Sequence, residues 1–324
     1  LLGGCDWVVM SPAGDVARQQ ADLILIATGL MLLIILPVMA ATVWFAWHYR
    51  AANTQARYEP EWNHSTKLEL MIWSAPLLII IALGAVTWVG THLLDPYRSI
   101  GRLDHRRAVP KDAKPLDVQV VALDWKWLFI YPEQGVASVN ELAVPVDVPV
   151  HFSITSTSQF NTFYAPTLAG MIYAMPGMKS ELNAVLNKPG DSWGYSGNYT
   201  GRGYSDMRFK LRGMNQADFN AWVAGVKGGG GTLNAADYLK LEVPSEKVPV
   251  VHYAAVQSQL FDRALNQCVA PGKPCMVDVM AKDQRNSAES LRRLGNTLAE
   301  EAHNHPMSSP VRPPASGAAA TTNP

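Results

Sequence analysis

Two long stretches of this chain carry no charged residue. Residues 23–47 read LILIATGLMLLIILPVMAATVWFAW and residues 70–91 read LMIWSAPLLIIIALGAVTWVGT. A helix needs about 20 apolar residues to cross the hydrocarbon core of a bilayer, so both can span it. Pro37 and Pro76 fall inside these stretches, where membrane helices tolerate them because neighbouring groups satisfy the freed backbone. Trp44, Trp47, Trp73 and Trp88 lie towards the ends, as interfacial anchors do. The pattern predicts a transmembrane helical hairpin over residues 21–95, with spans at about 23–47 and 70–91. Thr28, Gly29, Ser74, Gly84 and Thr87 give these helices small or polar surfaces suited to packing against other helices.

From about Leu116 the period drops to two. Val150, Phe152 and Ile154 alternate with His151, Ser153 and Thr155, and Met207, Phe209 and Leu211 alternate with Arg208, Lys210 and Arg212. Strands of this kind have one buried and one wet face, as in an antiparallel sandwich or barrel. The turn signals YPEQG, NKPGD and GRG separate them. An all-β domain is therefore expected over 113–214. The period turns helical in NQADFNAWVAGVK, with Phe219, Trp222, Val223 and Val226 on one face and Asn215 as the cap. Gly228–Gly231 reads as a flexible break, and LNAADYLKL restarts a short helix. These features make residues 215–300 a C-terminal helical extension, and the Pro-, Ser- and Ala-rich stretch at 301–324 a disordered tail.

Formal charge is zero, which leaves no strongly basic surface for nucleic acid. Charged residues make up 17% of the chain, below the quarter or so usual in soluble proteins, as expected of a part-membrane protein. The connector between the spans carries Arg50, Arg57 and Lys67, which places it in the cytoplasm by the positive-inside tendency. The basic cluster from Arg98 to Lys114 argues the other way, but it leads into a long domain, where charge counts poorly. The large domain then lies on the outer, periplasmic side. Residues 1–20 form a lipoprotein-type segment, because Leu2-Gly3-Gly4-Cys5 resembles a lipoprotein box in which Cys5 carries covalent lipid. Asp6, after it, resembles an inner-membrane retention signal.

Few side chains offer chemistry. The loop SGNYTGRGYSDM, residues 196–207, is glycine-rich but lacks the Lys-Ser/Thr ending of a phosphate loop, and it holds no Cys or His. After residue 110 the cysteines are Cys268 and Cys275, and the histidines His151, His252, His303 and His305. Cys268 and Cys275 enclose VAPGKP, whose Pro-Gly turn can bring them together as a disulfide; free thiols and a weak metal pair are the competing readings. Thr66-x-x-Glu69 reads as a capping box opening the second span.

The order of lipobox, two-helix hairpin, LDWKWLFIYPEQG (123–135), NTFYAPTLAGMIYAMPGM (161–178) and the glycine-rich loop resembles subunit II of the heme–copper respiratory oxidases. Within that family it resembles the cytochrome bo-type ubiquinol oxidases, over about residues 1–260. The resemblance implies a cupredoxin-like β-sandwich seated on subunit I, with further small membrane subunits as neighbours. It also implies ubiquinol as the electron donor at the level of the complex, and hemes and copper held by subunit I. In the copper-bearing branch of the family this loop reads C-x-E-x-C-x-x-x-H-x-x-M, with a further His upstream, and holds a dinuclear centre. Alignment on Pro166 and Gly197 sets Asn161, Tyr199, Gly201, Gly203, Met207 and Lys210 at the ligand positions. Soft copper sites need thiolate and imidazole, and neither is present. The resemblance therefore implies a vacated site, no metal or other cofactor in this chain, and no catalytic residue of its own. Trp125 and Trp127 match the aromatic patch of electron entrance in the copper-bearing branch, and packing is the reading preferred for them here. The same resemblance makes Glu69 a candidate guard of a proton-uptake channel in subunit I, in a proton-pumping complex.

Overall fold

A computed structural model describes residues 7–57 and 59–304; Cys5 and the tail from residue 305 lie outside the described residues. The chain divides into two compact units, with the boundary between Lys273 and Pro274.

The first unit opens with α1 (Asp15–His48) and α2 (Thr66–Leu93), which run unbroken through Pro37 and Pro76. At 1.5 Å per residue, the 34 residues of α1 extend about 51 Å, longer than a bilayer core. The surplus lies at its start, where Asp15, Ala17 and Ala21 are buried. The stretch before it is not a free leader. The amides of Ala13 and Gly14 donate to Thr167 O at 2.9 Å, and the Ala13 carbonyl accepts from Asn187 N at 2.7 Å. A Cβ at Gly14 would lie 2.5 Å from the Val185 carbonyl, so glycine is what allows this close approach.

The β domain comprises β1 (Leu116–Leu123), β2 (Lys126–Tyr131), β3 (Val136–Val139), β4 (Glu141–Pro145), β5 (Pro149–Ser156), β6 (Asn161–Tyr164), β7 (Ile172–Ala174), β8 (Ser180–Val185), β9 (Gly190–Ser196) and β10 (Arg208–Met214). It is followed by α3 (Gln216–Gly229), β11 (Gly231–Leu233), α4 (Ala235–Glu242), β12 (Val251–Val256) and α5 (Leu260–Leu265). One sheet has the order β11-β12-β3-β2-β1-β5-β8, and the other β4-β10-β9-β6-β7. The expected sandwich is present. Between the sheets lie Trp127, Phe129, Phe152, Phe163 and Phe209, all buried, with Phe163 and Phe209 stacked at 5.2 Å. The alternation in β5 and β10 holds, with Val150, Phe152, Ile154, Phe209 and Leu211 inside. Three pairings depart from an antiparallel pattern: β1 runs parallel to β5, β4 parallel to β10, and β11 parallel to β12.

The stretch after residue 214 is not purely helical, as the sequence led us to expect. It contributes β11 and β12 to the edge of the larger sheet. Its helices cover that sheet's outer face, where Val121, Leu128, Ile130 and Val139 pack with Tyr238, Leu260 and Phe261. That cover explains why β2, KWLFIY, is buried at every position instead of having one wet face. The expected cap on α3 forms: Asn215 Oδ1 accepts from Asp218 N at 2.8 Å. Gly228–Gly231 is no flexible break; α3 runs to Gly229, and Gly230 abuts the backbone of β12.

The second unit contains α6 (Met276–Asn304). It continues past residue 300, where the tail was expected to begin, because EEAHN holds no helix breaker before Pro306.

Candidate functional site

The glycine-rich loop joins β9 to β10 at one end of the smaller sheet. Its two ends are held together, with Ser196 N donating to Met207 O at 3.3 Å and Gly197 N to Thr162 O at 3.1 Å. A 3₁₀ turn at Tyr204–Asp206 closes it, and Met207 N donates to Tyr204 O at 3.0 Å.

Beneath the loop lies Trp125. Its φ of 63° is left-handed, an unusual conformation for a bulky residue, and it breaks the alternation between Asp124 and Lys126. The indole Nε1–H donates to Thr200 O at 3.0 Å. Its six-membered ring fills the space where a side chain at Gly203 would stand and lies in van der Waals reach of one at Gly201. A Cβ at Gly203 would lie 2.4 Å from Trp125 Cδ2, and one at Gly201 3.4 Å from Cζ2. Gly201 also has a φ of 104°, which favours glycine on its own account. Next to Trp125, the ammonium of Lys126 is buried and donates to Asp124 O and Val243 O at 3.1 and 3.0 Å. Burial pushes its pKa down.

The six aligned positions do not converge on a point. Asn161 is 1% exposed; its Oδ1 accepts from Ser196 Oγ at 3.2 Å, and its Nδ2 donates to Gln159 O at 3.1 Å. Met207 lies in the core between the sheets. Tyr199 is 79% exposed and meets the edge of the Tyr204 ring at 5.6 Å. The Lys210 ammonium is paired with Asp191 at 2.7 Å, at the other end of β9 from the loop. An amide, a phenol, two glycines, a buried thioether and an ammonium do not fit a dinuclear copper centre. Among the described residues no three His, Cys, Asp or Glu side chains stand close enough to share a metal ion.

The capping box at Thr66 and Glu69 is not formed. The helix begins one residue earlier, with Ser65 as N-cap, and its carbonyl accepts from Glu69 N at 2.9 Å. The shift puts Glu69 one position too far along to reach the capping amide. Its carboxylate turns back to His64 Nδ1 at 2.6 Å instead and stays half-exposed. Cys268 is buried, and the chain after it reverses through Gly272, whose φ is 76°, with Lys273 N donating to Ala270 O.

One group escaped the sequence pattern altogether. Glu141 is 5% exposed, and its Oε1 accepts from Trp222 Nε1 at 2.8 Å and lies 2.9 Å from His252 Nε2. Arg212 approaches its other oxygen at 3.5 Å. This carboxylate ties α3 and β12 to the sandwich. Its partners come from three distant segments, so no local spacing reveals it.

Comparison with known proteins finds relatives along most of this chain. A family model described as the COX Aromatic Rich Motif matches residues 227–272, the covering segment of the larger sheet. The cytochrome bo(3) ubiquinol oxidase subunit 2 of Pseudomonas putida is 46% identical over 285 residues, covering 87% of this chain and 88% of that protein. The ubiquinol oxidase subunit 2 of Acetobacter aceti is 46% identical over 262 residues, covering 81% of this chain and 83% of that protein. Among solved structures, the periplasmic domain of subunit II of cytochrome oxidase from Bradyrhizobium japonicum is 26% identical; the match covers 37% of this chain and 97% of that one, with a TM-score of 0.34.

Proposed function

Because this chain belongs to the ubiquinol oxidase subunit 2 family of heme–copper oxidases, we propose that it is the non-catalytic, copper-free subunit II of a proton-pumping ubiquinol:oxygen oxidoreductase. The observation that carries this reading is the loop between β9 and β10. The positions where the copper-bearing branch has its ligands hold Asn161, Tyr199, Gly201, Gly203, Met207 and Lys210, and the Trp125 ring fills the space a side chain at Gly203 would need. With no site to receive an electron from a soluble carrier, this subunit anchors and covers subunit I. Ubiquinol is oxidised elsewhere in the complex, where the hemes and copper reside. The reading predicts no stoichiometric copper in this subunit. Metal analysis of the chain separated from the purified oxidase, with a search for the near-infrared band of mixed-valence copper, tests it. One or two tightly held coppers per chain would overturn it.

The same reading puts the protein in the bacterial inner membrane as a multi-pass subunit, with the Arg50–Lys67 connector in the cytoplasm and the β domain in the periplasm. The charge pattern supports it. Cys5 then carries lipid, and Cys268 and Cys275 are joined across the Pro271–Gly272 turn. An oxidising compartment permits that bond. Peptide mapping without reduction tests both modifications, and free thiols in protein from the native envelope would reject the disulfide.

Glu69 is the candidate for proton uptake. Its carboxylate is accessible at the connector end of α2 and lies 2.6 Å from His64 Nδ1. Glu69→Gln keeps a hydrogen-bond acceptor beside His64 but cannot take up and release a proton. Assembly and heme content should stay at wild type while quinol oxidase turnover falls several-fold. Full turnover in an assembled Glu69→Gln enzyme would remove the role.

A further inference from the structure

The helix α6 accounts for most of the described second unit, and it leaves a row of large apolar side chains in the open. Val277, Met280, Leu291, Leu294 and Leu298 are 56–71% exposed. At about 100° per residue they fall on one face, while Val279 lies off it. From Met276 to Glu300 that face carries no charge over about 140° of the helix surface. Its polar residues are Gln284 and Ser287, both uncharged.

The face repeats every seven residues. Val277, Gln284, Leu291 and Leu298 recur at the a position of a heptad, and Met280, Ser287 and Leu294 at d. Beside them, Ala281, Ala288 and Gly295 recur at e. A straight helix drifts by about 20° per heptad against such a repeat, so a strict period of seven suits a second helix wound around it. A flat membrane surface fits less well. Between Met276 and Glu300 four Lys or Arg side chains are matched by four Asp or Glu, and no aromatic residue is present. Helices that lie in a bilayer interface are rich in Lys and Arg and carry aromatic anchors.

The charges say which helix. Asp283 borders one edge of the face, and Arg285 and Arg292 border the other. Asp283 and Arg292 have no ion pair among the described residues, whereas Glu289 and Arg293 on the outer face pair at 2.6 Å. In a parallel pair in register, each acidic edge lies along the basic edge of the other helix, and Asp283 at g faces Ala288 at e. Helix side chains lean towards the N-terminus, so Arg292 extends over Ala288 of its own helix and meets Asp283 of the other. Alanine leaves room for it. An antiparallel pair would set like edges together. The Gln284 amide both donates and accepts, so two copies satisfy each other across the axis, as one polar a position does in fixing register. The same helix thus supplies both halves of the interface.

We propose that α6 is a self-association helix, which pairs in parallel and in register with α6 of a second copy of this chain. The pairing goes beyond the subunit II reading and is independent of copper content and of Glu69.

The test uses the purified oxidase complex. Leu294→Cys, at a d position, should give a covalent dimer of this chain under mild oxidation on a non-reducing gel, and the wild type should not. Leu291→Glu should raise the dissociation constant of the dimer, read by sedimentation velocity, by about a hundredfold or more, since each pair loses two covered leucines. Quinol oxidase turnover of that variant should stay at wild type. Asp283→Arg and Arg292→Asp should each weaken the dimer about fivefold, and together they should restore it. An antiparallel pair would exchange like charges for like and show no such restoration. A wild-type complex that stays a single copy at micromolar concentration would overturn the proposal. So would linkage of Leu294→Cys to another subunit of the same complex. Quenching of a fluorescent label on Leu294→Cys by brominated lipid in reconstituted vesicles would give the face to the membrane and overturn it as well.

Discussion

Two glycine-rich stretches in this chain look alike on paper and are held for different reasons. The β9–β10 loop has Gly197, Gly201 and Gly203; the stretch where α3 ends and β11 begins has Gly228, Gly229, Gly230 and Gly231. The first invites a ligand-binding reading and the second a linker reading. In the structure, both are places where something large comes close. At Gly203 it is the Trp125 ring, 2.4 Å from where a Cβ would be. At Gly230 it is the β12 main chain, with Ala254 N at 2.6 Å and His252 O at 2.8 Å. A side chain can rotate away, whereas a paired strand cannot. Glycine marks a close approach at both sites, and the neighbour decides how much a side chain costs.

The largest effect is therefore expected at Gly230. Gly230→Ala pushes a methyl group into the backbone of a paired strand and should destabilise the first unit by about 3 kcal/mol, the upper part of the overpacking range. Thermal unfolding, with limited proteolysis after α3, measures it. Near-wild-type stability would restore the linker reading. Gly203→Ala should cost less, about 1–2 kcal/mol, because the Trp125 ring can shift. In a Trp125→Ala background the same change should cost almost nothing, a coupling of about 1 kcal/mol in the double-mutant cycle. Additive effects would mean that Trp125 is not what excludes a side chain there.

Smaller still is Trp125→Phe, which keeps an aromatic ring and removes the Nε1–H donor to Thr200 O. A loss of about 1 kcal/mol is expected from that one hydrogen bond. The smallest effect belongs to Arg202, whose pair with Glu246 at 2.6 Å is the charged contact from the loop itself. Arg202 is 85% exposed there, and Arg202→Ala should stay within about 0.5 kcal/mol of wild type at any salt concentration. A larger, salt-sensitive loss would show the loop held by charge and not by the indole beneath it.

Much of this molecule is written in short-range patterns. The uncharged stretches set α1 and α2, because crossing a bilayer needs only length and apolarity in consecutive residues. Alternation set the inner faces of β5 and β10, and Asn215 capped α3, because each depends on neighbours within a few positions. Tertiary structure decided the rest. Only the covering helices and β12 make β2 dry on both faces, and no periodicity in KWLFIY announces them. Ser65 took the cap expected of Thr66 once the chain before α2 had set its own course, and His64 claimed the Glu69 carboxylate. Trp125 and Thr200 are 75 positions apart, and Glu141 and His252 are 111. Contacts over such separations are set by how the sheets close, and the residues that make them carry no local signal of their partners.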